Sequence, residues 1–200
     1  MIMEKIDMLF LILYIIAIFA IVVSIYNDLY EKTKKDVKMP SVFFILEKGV
    51  EIPQKATFGA SGYDFKAHSF KTIYRGNNEF SLEDSNHSKI LLQSGERILI
   101  STGVKMQIPK GYELQIRSRS GLTLKQGLVV LNSPGTIDSD YIGDIGVILY
   151  NAGEVTQEIR KGDRICQGVF AKVEEPKFQE TFMFNQTERG NNGYGSTGRN

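Results

Sequence analysis

The sequence predicts an all-β domain of the jelly-roll or β-barrel type, preceded by one N-terminal transmembrane helix. Three observations carry this expectation. From Ser41 onward the apolar residues come in short runs fenced by Gly, Pro, Asn or Asp, which is strand and turn spacing. No long helical stripe follows the N-terminal segment. That segment contains "MLFLILYIIAIFAIVVSIY" (Met8 to Tyr26), with no charged residue and only Ser24 as a small polar one.

The apolar run comes first. At about 1.5 Å per residue it matches the hydrocarbon core of a bilayer. A helix buried in a globular core would carry a polar face, and this one has none. A cleaved signal peptide would have a shorter apolar region behind a basic start. Here the start is "MIMEKID", and "VSIYND" is a poor cleavage site. An uncleaved anchor over residues 1–27 is therefore expected. A charged tether follows at 28–39, holding Lys32, Lys34, Lys35 and Lys38, whereas only Lys5 precedes the span. By the positive-inside rule the remainder of the chain faces the cytoplasm.

The β domain is expected over 40–184. "SVFFIL" reads as a first strand, "RILISTGVKMQI" as a long β-branched one, and "YELQIRSRS" as a strand with Tyr112, Leu114 and Ile116 on one face. "GLVVLN", "IGVILYN" and "RICQGVFAKV" complete the set. The polar stretch Arg75 to Lys89 breaks this rhythm and reads as a long hairpin loop or insertion. Residues 185–200 form a glycine-rich tail without apolar periodicity.

Composition limits the chemistry. The chain has 200 residues and a formal net charge of +1, which gives no sign of a nucleic-acid partner. A single cysteine, Cys166, excludes an internal disulfide and a Cys-rich zinc site. The two histidines, His68 and His87, have no ligand spacing and read as plain surface residues, which disfavours a Ser-His-Asp triad.

Four turns carry more polar chemistry than packing requires. "ASGYDFKA" sets Asp64 between two aromatics. "RSRSGLTLK" puts Arg117, Arg119 and Ser120 beside Gly121, a phosphate-cradle composition. "LNSPGTIDSDYIGDIG" holds Asp138, Asp140 and Tyr141. "KGDRICQGVF" brings Asp163, Arg164 and Gln167, though Gly-Asp-Arg is also an ordinary turn into a strand. The tail adds Arg189, Tyr194, Ser196 and Thr197 among glycines. Alone it reads as a solvated end. It also holds the parts of a nucleotide lid: an anion-binding guanidinium, a ring and small-residue backbone.

In this order and spacing the five segments resemble the motifs of the homotrimeric dUTP pyrophosphatases, the dUTPases. The resemblance runs from about Pro40 to the C terminus and is strongest in "GTIDSDYIGDIGV", supported by "RSRSGL" and "RGNNGYGSTG". The anchor and most of the Arg75–Lys89 stretch have no counterpart in the family pattern.

The resemblance implies a homotrimer with shared active sites that hydrolyses dUTP to dUMP and pyrophosphate. Asp138 would be the general base that activates water for attack on the α-phosphorus. Tyr141 would lie against the deoxyribose, and Asn132 with the hairpin through Gly135 would read uracil. Arg119, Ser120, Gly121 and Gln167 would contact phosphate or support those contacts. Arg189, Tyr194, Gly195, Ser196 and Thr197 would close over the nucleotide, with Arg189 on the γ-phosphate and Tyr194 stacked on the base. Asp64 would support the network beside Mg²⁺, which would ride on the triphosphate and water with no direct protein ligand. Two alternatives stand beside this reading: a dCTP deaminase of the same fold, and a membrane-tethered nucleotide-binding or docking module.

Overall fold

The computed structural model describes residues 2–35, 40–82 and 87–191; within the first helix, side chains are described for residues 14–30. Helix α1 (Ile2–Lys35) is followed by β1 (Phe43–Leu46), β2 (Tyr63–Lys66), β3 (Ser69–Arg75), β4 (Asn78–Ser81), β5 (Lys89–Leu92), β6 (Arg97–Gln107) and β7 (Tyr112–Arg117). A short helix α2 (Ser120–Gln126) precedes β8 (Leu128–Val130), β9 (Gly135–Ile137), β10 (Asp144–Asn151), β11 (Gln157–Arg160) and β12 (Arg164–Lys172). The expected all-β domain is present, and every strand pairing is antiparallel.

The alternation read in the sequence becomes the core. Along β10 exposure alternates strictly, with Ile145, Val147 and Leu149 buried. On β7 the buried pair is Leu114 and Ile116, as their period-two placement predicts. These side chains meet Phe65, Ile98, Ile100, Ile159 and Ile165 in one cluster. Burying each such side chain contributes about 1.5–3 kcal/mol relative to leaving it in water.

Two sheets and a ribbon enclose this cluster. One sheet runs β4-β3-β6-β10-β8, with β1 also on β6. The long strand β6 serves both β3, over its first half, and β1, over its last residues. Between those halves lies Gly103, with φ 67°, where a Cβ would stand 2.6 Å from a Val50 methyl. The second sheet runs β2-β12-β7-β9, and β11 pairs with β5. Lys89 of β5 and Arg160 of β11 both pair with Glu158, and their cations hold its carboxyl below the usual range, Lys89 most strongly.

Three expectations change. The start of the Arg75–Lys89 stretch, read as a long hairpin loop or insertion, is a tight hairpin, because β4 pairs with β3 across Gly76-Asn77. Gly76 has φ 60°, the backbone a tight two-residue turn requires, and the Arg75 guanidinium lies over the Phe80 ring at 5.4 Å. The stretch "RSRSGLTLK" is not a simple turn, since α2 begins within it at Ser120 and is stopped by Gly127 at φ 68°. His68 is not a plain surface residue. It is half-buried and its Nε2 lies 2.9 Å from Glu47, whereas His87 is exposed as expected.

The N-terminal segment forms the expected helix. Among the described residues no helix is long and apolar enough to cross a membrane. The described side chains of α1, residues 14–30, are exposed throughout.

Candidate active site

Three segments distant in sequence converge on Asp64. This residue sits in β2 opposite Gln167 of β12, and its backbone N–H donates to the Gln54 carbonyl at 2.8 Å. Its carboxylate accepts from Arg119 Nε at 2.9 Å and from Arg164 Nη1 at 3.1 Å. Arg119 also donates from Nη1 to the Arg164 carbonyl at 3.0 Å. The guanidinium of Arg119 is thus fixed from two sides, with 24% of its side chain exposed. Both carboxylate oxygens of Asp64 are spent on arginines.

The loop from β7 into α2 is held by β12 and by the turn before β9. Gln167 donates Nε2 to the Ser118 carbonyl at 2.9 Å. Ser118 Oγ accepts from Val130 N at 2.9 Å, and Ser118 N donates to Ser133 Oγ at 3.3 Å. Gln167 therefore props the loop that carries Arg119, Ser120 and Gly121. Gly62 makes room for it, since a Cβ there would lie 2.5 Å from Gln167 Oε1. Ser120 and Gly121 begin α2 and are exposed.

The second half of the site lies on the segment around β9. Asn132 and Gly135 flank Ser133 and Pro134, whose peptide bond is cis. Gly135 has no side chain to displace Asn132, whose Nδ2 would stand 3.0 Å from a Cβ. Asp138 follows β9, is exposed, and lines a surface cleft of about 760 Å³ with Lys110, Tyr112, Glu113, Ser139 and Asp140. The Tyr141 N–H donates to the Asp138 carbonyl at 3.2 Å, so the two residues share one turn. The Tyr141 hydroxyl donates to the Asp144 carbonyl at 2.8 Å, and the residue as a whole is 44% exposed.

The hairpin at Ser133 touches the Arg119 loop through Ser118, but the Asp138 turn does not meet that loop within one chain. Ile137 pairs with Leu114, so Asp138 lies at the Tyr112 end of β7. Arg119 lies beyond the other end, about 20 Å away along the strand direction. Neither Arg119, Ser120 nor Gln167 lines the Asp138 cleft. Arg189 is described and exposed on a C-terminal arm whose residues 172–191 are all exposed. Tyr194, Gly195, Ser196 and Thr197 lie outside the described residues.

Sequence reasoning missed the structural work of Arg164 and Ser118. Arg164 read as part of an ordinary turn, and the turn is indeed there: Asp163 Oδ2 accepts from Arg160 N at 2.8 Å. Nothing in the local sequence signals that Arg164 also reaches Asp64. Cys166, beside this cluster, is buried, and burial foremost pushes its thiol pKa up. Among the described residues, no group of three or more His, Cys, Asp or Glu could hold a metal ion.

Comparison with known proteins bears on this arrangement. The dUTPase family model matches residues 85–198. A deoxyuridine 5′-triphosphate nucleotidohydrolase from Caulobacter vibrioides is 44% identical over 147 residues, covering 74% of this chain and 85% of the relative. A protein of the same name from Heliobacterium modesticaldum is 44% identical over 150 residues, covering 74% and 90%. Among solved structures, the dUTPase of Staphylococcus bacteriophage 80alpha with dUpNHpp superposes with a TM-score of 0.65 at 24% identity, over 80% of this chain and 99% of the other. The dUTPase of phage phi11 of S. aureus, described with a structural Mg(II) ion, gives 0.58 at 21% identity over 74% and 100%.

Proposed function

The chain belongs to the dUTPase family, and on that footing we propose that Asp138 is the general base in its hydrolysis of dUTP to dUMP and pyrophosphate. The family assignment sets aside the deaminase and the non-catalytic docking module. In the proposed step a water oxygen forms a bond to the α-phosphorus. The bond from that phosphorus to the α,β-bridging oxygen breaks, and its electron pair leaves with pyrophosphate. The water proton passes to the Asp138 carboxylate. An exposed carboxylate on a turn tied to a strand end suits this task, because it must aim water in line with the leaving group.

The remaining residues have proposed roles that follow from what holds them. Arg119, clamped by Asp64, presents a pre-oriented cation to phosphate oxygens, and Ser120 and Gly121 add an exposed hydroxyl and unobstructed backbone. Gln167 supports this loop through Ser118. Asn132 and Gly135 read uracil, and the Tyr141 ring walls off the position of a 2′-hydroxyl. Arg189 grips the γ-phosphate, while Tyr194, Gly195, Ser196 and Thr197 close the site.

Mg²⁺ fits this donor set as a passenger on the triphosphate. Both Asp64 oxygens are engaged by arginines, and the described residues offer no cluster for a protein-bound ion. Triphosphate oxygens and water would complete its shell, Asp64 would support the network beside it, and the ion would offset phosphate charge.

A homotrimer is proposed because the parts of the site are separated within one chain. The Asp138 turn of one copy would face the Arg119 loop of a second, with Arg189 arriving on an arm. That arm is exposed along its length and carries Phe178, Phe182 and Phe184, apolar side chains that need a covering surface.

A single-pass membrane anchor is also proposed, with the catalytic domain toward the cytoplasm. Its support is α1, whose described face is apolar and exposed from Tyr14 to Tyr26, within the uncharged run Met8–Tyr26. Such a helix has no polar face to turn to water.

The observation that carries the function is the family match, which spans the Asp138 turn and the Arg189 tail. The test is pyrophosphate release by the full-length chain, kept in detergent, from dUTP, dCTP, UTP and dTTP. Release from dUTP alone is expected. Ammonia from dCTP, or no preference for dUTP, would refute it.

A further inference from the structure

We infer that Gly143 is a specificity-determining residue, because it sets the position of the Tyr141 ring and so the enzyme's preference for deoxyribose over ribose. The inference rests on the proposal that the Tyr141 ring occupies the place a 2′-hydroxyl would need.

The geometry is local. The Tyr141 side chain folds forward over the next residues of its own turn, and its hydroxyl donates to the Asp144 carbonyl at 2.8 Å. On the way the ring passes directly over Gly143. A Cβ at Gly143 would lie 2.5 Å from Tyr141 Oη, 2.7 Å from Cζ and 3.0 Å from Cε2. All three are ring or hydroxyl atoms of Tyr141, and no backbone atom stands among the nearest contacts. Any side chain at 143 must therefore displace the ring, and the ring can yield by rotating about its own torsions.

The seat of the ring is firm. Asp144 opens β10 and pairs with Lys105 of β6, so the accepting carbonyl belongs to the sheet. With 44% of Tyr141 exposed, packing alone does not select one rotamer. The hydroxyl bond and the bare Cα of Gly143 select it together. Because that bond engages the hydroxyl, the sugar meets the ring itself.

Displacing the ring need not move the base. Asp138 is tied to Tyr141 through the backbone, with the Tyr141 N–H on the Asp138 carbonyl at 3.2 Å. A methyl group at 143 pushes on ring atoms at the far end of the side chain. Loss of discrimination should therefore appear before loss of turnover. A hydrophobic or steric wall rejects an added hydroxyl by a limited factor, about 10²-fold in favourable cases. The whole of that factor depends on where the wall stands.

The experiment is kcat/KM for dUTP and for UTP in the full-length protein, with Tm as a check on folding. Gly143→Ala is expected to lower the dUTP-to-UTP ratio about tenfold, chiefly by raising UTP turnover, with Tm nearly unchanged. Tyr141→Ala is the reference. If it keeps the parent ratio, the steric reading of Tyr141 is wrong and the inference falls with it. If Tyr141→Ala lowers the ratio while Gly143→Ala does not, the inference alone is overturned. The double variant Tyr141→Ala/Gly143→Ala should match Tyr141→Ala, since Gly143 acts only through the ring; additive losses would contradict it. Should Gly143→Ala fail to fold, Tyr141→Phe carries the test. It removes the bond to the Asp144 carbonyl and should give a ratio between the parent and Tyr141→Ala; the parent ratio there would overturn the inference.

Discussion

Asp64 Oδ1 accepts a hydrogen bond from Arg119 Nε at 2.9 Å, across a sequence separation of 55 residues. The same carboxylate holds Arg164 through its other oxygen. Only 14% of the Asp64 side chain is exposed, so water offers a weak substitute for either partner. Asp64→Asn keeps the shape but removes the charge shared by two guanidiniums. We expect a stability loss of about 1–3 kcal/mol and a fall in turnover as Arg119 loses its orientation. Denaturant midpoints and steady-state kinetics check this. A variant unchanged in both would show that Arg119 is positioned by something else.

Asp138→Asn should bind nucleotide and turn over little of it. The amide preserves size but accepts no proton, and general-base catalysis is worth about 10²–10⁴-fold. Binding of a non-hydrolysable dUTP analogue beside single-turnover rates separates the two effects. Hydrolysis near the parent rate would remove Asp138 from the role of base.

Removal of residues from Arg189 onward should leave the fold intact, because no apolar run is lost from the sequence. Turnover should nevertheless fall strongly. Arg189→Ala alone should cost about 2–4 kcal/mol of transition-state stabilisation. Tyr194→Phe should be nearly silent and Tyr194→Ala should not be, since only the ring face is used. The analogue with Mg²⁺ should protect the tail from limited proteolysis. Full activity in the truncated enzyme would make the tail a solvated end.

A chain beginning at Met39 should be soluble and active. The reason is the composition break at Pro40 and the fact that the core cluster draws only on residues from Val42 onward. Gel filtration and dUTP hydrolysis test this. An insoluble or inactive product would mean that α1 belongs to the catalytic unit.

The thiol of Cys166 should resist alkylation until the protein unfolds. Burial foremost raises its pKa, with Asp64 adding to the effect and Arg119 opposing it. A raised thiol pKa means the folded state binds the proton more tightly than the unfolded chain. Its stabilising effect is therefore complete below the unfolded value of about 8.5 and declines as pH rises above it. Thiol-reagent kinetics with and without denaturant provide the measurement. Rapid labelling of the native protein at neutral pH would show that Cys166 is accessible.

Much of the domain was legible before any coordinates. Period-two alternation marked β7, and turn residues fenced β10, because a strand turns successive side chains to opposite faces and one face of each is buried. The hairpin β3–β4 was harder to see. Its strand β4 is exposed at every position, so it carries no burial pattern, and only Gly76-Asn77 hints at the turn. Helix α2 was hidden for a similar reason, since it is only seven residues long and no residue of it is fully buried, Leu122 alone packing partly against the core.

The sequence by itself determined the all-β domain, the N-terminal helix with its uncharged run, and the ordered polar segments that carry Asp64, Arg119, Asp138 and Arg189. Those features are local: they depend on side-chain period, turn residues and motif spacing. Tertiary structure alone decided that Asp64 clamps Arg119 and Arg164, that Gln167 props Ser118, and that Asp138 stands about 20 Å from Arg119. These follow from strand register, which brings residues together through pairings such as Gln167 with Asp64 and Leu114 with Ile137. Register depends on how whole faces pack against one core, and no short stretch of the chain contains that information.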